Sequence, residues 1–274
     1  MKKSLITAGI VVPAFLVVMI FGRVSRVKID AKSEVFDHQL NLEQAVDPGK
    51  VVFDDSQLGK GFLGVSVIDD TDVVVRITQD GYKRVWPIKN DGSANVLPFS
   101  ASKNPYDVLV AEDNGETGIF LGEYTVQSSS DSDEVFLAPS MLVPYDEFEE
   151  VLMISRYLAS ISSNEEELLR NTVKYIESTY AQRKWYGNDD RLSGADHLNH
   201  ILDEKSGACL DFATLFAALM RANGVPCKVV LGDVVGESRQ AHAWNEVKIN
   251  GEWRRVDLIL KPKSSVDYIE TMAY

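Results

Sequence analysis

Between Phe62 and Val126 apolar and polar residues alternate in six short runs: Phe62 to Ile68, Asp72 to Gln79, Tyr82 to Ile88, Ala94 to Phe99, Asp107 to Glu112 and Ile119 to Val126. Asp80-Gly81, Asp91-Gly92 and Asn114-Gly115 punctuate them as turns. Period-two alternation broken by such dipeptides predicts strands, and strands at this spacing predict a small antiparallel β-sandwich. Beyond Gln127-Ser-Ser-Ser-Asp-Ser-Asp-Glu134, a polar stretch that reads as a solvated linker, the period changes to that of helices. Pro144 precedes one helical pattern that runs to about Ser160. Ser163-Asn-Glu-Glu166 reads as a capping box for another over Leu168 to Gln182, and Asp196 to Leu202 reads as a short third.

The fourth helical pattern is the most regular. Phe212, Leu215, Phe216, Leu219 and Met220 fall at i, i+3, i+4, i+7 and i+8, a single buried stripe. Arg221 stands in its last turn and Gly224 just beyond, a C-terminal stop. With Ser206-Gly207 as its start, Cys209 falls in the first turn. Farther on, Asn250-Gly251 joins two alternating runs, Trp244 to Ile249 and Glu252 to Asp257, as a two-residue hairpin. Ile249 then faces Glu252 and Trp244 faces Asp257. Side chains alternate between faces, so His242 and Asp257 share one face as diagonal neighbours about 7–8 Å apart at the backbone. Val247, Ile249, Val256 and Leu258 share the other, which suits a core. The fold class is therefore α+β.

The chain has 274 residues, 45% hydrophobic and 25% charged, with a net charge of −13. It has no basic run, and a balance this acidic argues against a nucleic-acid partner. Lys2-Lys3, the uncharged segment from Leu5 to Gly22, and Arg23, Arg26 and Lys28 read as a signal-anchor, or as a cleaved signal peptide. The expected organisation is a signal segment over 1–26, a stalk over 27–58, the sandwich over 59–127, a linker over 128–134 and a second domain over 135–274. The expected location is the cell membrane, a single pass through residues 5–22 with the body outside; the alternative is secretion.

Cys209 and Cys227 are the only cysteines, so no disulfide framework exists. Cys227 opens the apolar run Lys228 to Leu231 and reads as a buried strand thiol. Cys209 is different. A helix N-terminus gathers free N–H groups and the positive end of the macrodipole, which favour a thiolate and can hold an oxyanion. An aspartate sharing a face with His242 would fix the imidazole tautomer. Cys209, His242 and Asp257 thus have the settings of nucleophile, base and orienting acid, the backbone N–H of Cys209 that of an oxyanion donor, and Trp244 that of a candidate site wall. Other features read as structural. His197 and His200 lack a third metal ligand and read as a solvated helix face. His38 reads as surface, Asn188-Asp-Asp190 as a loop without a calcium pattern, and Asp146 to Glu150 as helix-start acids.

Gly207-Ala-Cys209-Leu-Asp211-Phe-Ala213, Leu219-Met-Arg221-Ala-Asn-Gly224-Val-Pro226, His242-Ala-Trp244-Asn-Glu-Val and Trp253-Arg-Arg-Val-Asp257 together resemble the transglutaminase-like superfamily, over about residues 140–274. The upstream β region followed by Pro144-Tyr145 resembles its exported, membrane-tethered bacterial members. The resemblance implies a papain-like fold, with the cysteine on a helix packed against an antiparallel sheet that carries the histidine and aspartate. It implies Cys209 as nucleophile, His242 as base and Asp257 as orienting acid. It further implies acyl transfer on protein or peptide carboxamides, cell-wall proteins among them, with no cofactor and no metal. The outcome is hydrolysis or, second, cross-linking; an inactive surface-binding module is the alternative. Leu258-Ile259-Leu260 departs from the Pro-Thr or Thr-Trp that follows the aspartate in many members.

Overall fold

Where the alternation is strictest the chain forms strands. The computed structural model describes residues 50–113, 119–130, 132–183, 193–235, 239–260 and 267–274. The signal segment, most of the stalk, His38, Asn114-Gly115 and Asn188-Asp-Asp190 lie outside them. Among the described residues no helix is long and apolar enough to cross a membrane.

Seven strands make the first half: β1 (Val51–Asp54), β2 (Phe62–Ile68), β3 (Val73–Gln79), β4 (Tyr82–Ile88), β5 (Asp91–Pro98), β6 (Tyr106–Glu112) and β7 (Ile119–Val126). They form two antiparallel sheets, ordered β1-β2-β5 and β4-β3-β6-β7. Val51, Phe53, Val65, Val75 and Val110 are buried in their core. Asp80 and Gly81, with φ of 50° and 82°, close the β3–β4 hairpin as a two-residue turn.

Three expectations fail here. The stalk does not extend to residue 58, because Val51–Asp54 pairs along β2 and buries Val51 and Phe53. Asp91-Gly92 is not a separate turn: it begins β5, and the register slips between Ser66 and Ile68 where Gly92 takes φ 88°. Nor is the serine linker solvated. Ser128 and Ser130 are buried; Ser128 Oγ donates to the Phe99 carbonyl at 2.8 Å, and the Ser130 carbonyl accepts the Ala101 N–H at 2.9 Å. Hydroxyls that find backbone partners can be buried without penalty, and composition does not report those partners.

The second half runs α1 (Glu149–Ser160), α2 (Glu165–Thr179), β8 (Ala181–Gln182), α3 (Gly194–Glu204), β9 (Ser206–Gly207), α4 (Cys209–Arg221), β10 (Cys227–Val235), β11 (Arg239–Ile249), β12 (Glu252–Val256) and β13 (Asp267–Ala273). β10 to β13 form one antiparallel sheet in the order β12-β11-β10-β13. The capping box of α2 sits one residue later than expected. Asn164 is the N-cap, its side chain accepting the Glu167 N–H at 2.9 Å, while Glu167 accepts the Ser163 N–H at 2.8 Å. Ser206-Gly207 is not a helix start but a short strand parallel to β8, and the N-cap of α4 is Ala208.

α4 is buried along almost its whole length, between the sheet and the other three helices. Two polar side chains lock it there. Asn245 Nδ2 donates to the Ala213 carbonyl within the helix and to the Lys228 carbonyl in β10, both at 2.9 Å. Arg221, wholly buried, donates to the carbonyls of Cys227, Ala138 and Tyr274 at 2.8, 3.1 and 2.7 Å. Burial lowers its guanidinium to about 10, so it stays charged at neutral pH. The two halves of the chain also meet directly: Trp86 of β4 packs edge-on against Tyr274 at 5.1 Å, and the Met141 N–H donates to the Val96 carbonyl.

Arg221→Leu removes a charged donor from three buried carbonyls at once. Each hydrogen bond to a charged donor contributes about 1.5–3 kcal/mol, so a loss of about 3 kcal/mol or more is expected in urea denaturation. A loss under about 1 kcal/mol would show that the carbonyls find other donors.

Candidate active site

The hairpin register is the one read from the sequence. Ile249 pairs with Glu252 and the ladder continues without a slip to Asn245 opposite Val256. Asn250 and Gly251 both take positive φ, 52° and 86°, as a type I′ turn requires. Asp257 stands one residue past the last pair, where the chain leaves β12. Its carboxylate still reaches the ring: His242 Nε2–H donates to Asp257 Oδ2 at 2.7 Å. The hairpin is itself pinned to the start of α2. The Asn250 N–H donates to Glu165 at 2.7 Å, and Arg254 pairs with Glu166 at 2.6 Å.

Three further donors fix the carboxylate. Tyr268 of β13 donates its hydroxyl to Oδ2 at 2.9 Å, and the N–H groups of Ile259 and Leu260 donate to Oδ1 at 2.9 and 2.8 Å. The Leu258-Ile259-Leu260 departure thus leaves Asp257 held by backbone that turns back onto it. Burial alone would raise its carboxyl, but the His242 hydrogen bond, aided by these N–H groups, holds it below the usual carboxylate range. His242 moves the other way. Burial opposes its protonation, but Asp257 and then the Cys209 sulfur outweigh that and raise it to about 9. Nε2 is taken by Asp257, which leaves Nδ1 for the sulfur. Cys209 is partly exposed, at the first position of α4. The structure therefore brings all three side chains together, joined through one imidazole.

Trp244 is buried behind the imidazole, its ring stacked on His242 at 6.2 Å between centroids and set against Tyr268 at 5.1 Å. Gly232 faces His242 across the β10–β11 ladder. A Cβ there would lie 2.7 Å from the Trp244 ring and 2.1 Å from the Ile269 carbonyl, so only glycine lets the two pack. Cys227 is fully buried, and burial pushes its thiol up to about 12.

The reading of His197 and His200 as a solvated face is wrong. His197 is 3% exposed, and its Nδ1–H donates to Asp211 Oδ1 at 2.6 Å; His200 Nδ1–H donates to Oδ2 at 3.2 Å. Both rings spend Nδ1 on a carboxylate, and among the described residues no three such groups are arranged to hold a metal ion. One signal was available: His197, Leu198, Ile201 and Leu202 share the inward stripe of α3. Tyr268 gave no comparable signal, since no element was read over Asp267–Ala273.

Residues 155–258 match the model of the Transglutaminase-like superfamily. No curated protein matches the chain. Among solved structures, a candidate cysteine protease from Cytophaga hutchinsonii aligns with a TM-score of 0.44 at 16% identity, over 75% of this chain and 72% of that one. The periplasmic domain of TgpA from Pseudomonas aeruginosa aligns with a TM-score of 0.38 at 17% identity, over 72% and 71%. A candidate protease from Parabacteroides distasonis aligns at 0.33 and 17%, over 71% of this chain and 39% of that one.

In NMR titration the His242 ring should change charge near pH 9, and in Asp257→Asn it should fall toward or below the ordinary 6.5. The folded value lies above the unfolded one. The stability His242 contributes is therefore complete below pH 6.5 and lost as pH rises through 9. Asp257, shifted down, contributes above its ordinary 3.8 and loses that contribution as pH falls. An unmoved His242 titration in the variant would show that another group sets its charge.

Proposed function

From the premise that residues 155–258 form a transglutaminase-like domain, we propose that this chain is a thiol acyl-transfer enzyme acting on peptide or glutamine carboxamides. The observation that carries the reading is the His242 imidazole, held by Asp257 on Nε2 and favoured in its charged form by Asp257 and then by the Cys209 sulfur at a helix start. The thiolate is the reactive form of cysteine, and an adjacent imidazolium together with a helix N-terminus favours it. Cys209 Sγ attacks the carboxamide carbon. The oxyanion that forms takes hydrogen bonds from the first free N–H groups of α4, that of Cys209 foremost. The C–N bond breaks as the His242 Nδ1–H gives its proton to the departing nitrogen, which leaves a thioester. Water then attacks the thioester and loses a proton to Nδ1. The C–S bond breaks, the acid product departs and the thiolate is restored.

Asp257 takes no proton in this cycle. It keeps Nε2–H donated and Nδ1 facing the sulfur, and it stabilises the imidazolium. The same groups serve an amine as acceptor. Water comes first in this reading because it needs no second binding surface. The substrates are proteins or peptides outside the cytoplasm, those of the cell wall among them, reached by a body anchored through residues 5–22. An inert surface-binding module is the competing reading, disfavoured by a carboxylate held by four donors beside the ring, a costly arrangement for a fold with no chemistry to serve.

Incubation with glutamine-containing peptides should release ammonia or cleaved peptide, and added primary amine should not become the main product. Cys209→Ala should lose turnover while keeping its thermal transition; full turnover in that variant sinks the reading. Asp257→Asn should lose roughly three to four orders of magnitude in kcat, by analogy with the serine-histidine-aspartate case. Activity should decline above about pH 9, where His242 loses the proton it must deliver. Iodoacetamide should label Cys209 at mildly acidic pH, and a thiol unreactive below pH 8 would favour the inert module. Fractionation should find the full-length chain in membranes; a cytosolic, unanchored chain would overturn the anchor.

A further inference from the structure

α4 begins without the side chain that helices ordinarily use. Its N-cap is Ala208, which makes no side-chain cap hydrogen bond, where serine, threonine, asparagine or aspartate are preferred. A capping oxygen would occupy the N–H of the second or third helical residue, next to the thiol. Here the tie comes from inside the helix instead. Asp211, the third residue of α4, accepts the Ala208 N–H on Oδ2 at 2.7 Å. The N–H groups of Cys209 and Leu210 stay free of a capping side chain. Gly207 makes the room: a Cβ there would lie 2.6 Å from Asp211 Cβ and 2.8 Å from Oδ2.

This solution places a carboxylate, 2% exposed as a residue, two positions along the helix from Cys209. Its charge competes with a thiolate for the same positive helix end. Two histidines of α3 answer it. His197 donates to Oδ1 at 2.6 Å from full burial, and His200 donates to Oδ2 at 3.2 Å with a third of its side chain exposed. Resting on the acyl-transfer reading, we infer that Asp211 is a positioning residue for Cys209, and that His197 and His200 hold its carboxylate and offset its charge at the nucleophile. Asp211 acts through the Ala208 N–H that it accepts. It fixes the backbone from which both the thiol and the oxyanion donors project.

The pH dependence of Cys209 alkylation by iodoacetamide, read by mass spectrometry on the purified chain, needs no substrate. Wild type should react at mildly acidic pH. His197→Phe leaves the Asp211 charge poorly offset, and the alkylation midpoint should rise by about one pH unit, the shift a nearby like charge causes. Adding Asp211→Asn removes that charge and should bring the midpoint back down. A merely structural role predicts the reverse, because the double variant should then be no more reactive than His197→Phe. Where His197→Phe does not fold, His200→Ala carries the test at a partly exposed position, with a smaller rise and an unchanged thermal transition. On a peptide substrate Asp211→Asn should lower kcat roughly ten- to a hundredfold with KM unchanged, as expected when reacting groups shift by a fraction of an ångström to an ångström. A reactive wild type whose His197→Phe and His200→Ala midpoints do not move, or a double variant less reactive than the single, overturns the inference. A wild type that does not react below pH 8 overturns the acyl-transfer reading first, and this inference with it.

Discussion

One hydrogen bond, 2.7 Å from His242 Nε2 to Asp257 Oδ2, constrains the rest of the structure. It joins a residue of β11 to the residue just past the end of β12, so its length depends on hairpin register, and a slip of one residue would turn Asp257 to the other face. Asn250 and Gly251 secure the register locally through positive φ. Glu165 and Glu166 secure it from outside by holding the hairpin tip to α2. The opposite end of the arrangement is the thiol, and its place depends on how α4 lies across the sheet. Asn245 governs that. A core asparagine is costly unless its amide is satisfied, and here one amide nitrogen bridges a helix carbonyl and a strand carbonyl. The ring and the sulfur meet because one polar pair fixes the sheet and another fixes the helix upon it.

The parts of this structure that could be read from residues are those governed by local periodicity. The stripe from Phe212 to Met220 and the Asn250-Gly251 turn each specify an element without reference to the rest of the chain, and together they place Cys209, His242 and Asp257. What was missed depends on partners distant in sequence. His197 finds Asp211 fourteen residues on, Tyr268 finds Asp257 eleven residues back, and Ser128 finds the Phe99 carbonyl twenty-nine residues away. Composition misled where burial depends on such partners: a serine-rich run looked solvated and a pair of histidines looked exposed. Val51–Asp54 was hidden for another reason. Four residues are too few for a period, and only the neighbouring strand shows that they alternate inward.

Polar burial recurs throughout the α4 region, and each instance trades desolvation for a fixed geometry. Arg221 closes the C-terminal end of the helix on three carbonyls, while Asp211 closes its start on a backbone N–H and two imidazoles. A buried charge held by neutral dipoles, or a carboxylate shared between two rings, loses stability sharply when any partner is removed. Such sites define one arrangement and penalise near alternatives, as a helix carrying a nucleophile at its first residue requires.

The contact of Trp86 with Tyr274 gives the sandwich a part in the chain's handling as a material. An indole and a phenol bury one another across the boundary between the two halves, and Met141 adds a backbone bond to Val96 beside them. Residues from both halves belong to a single hydrophobic cluster. A fragment cut within the serine run would therefore expose a fresh aromatic face on either piece. Solubility, and not folding alone, would decide whether either piece could be obtained by itself.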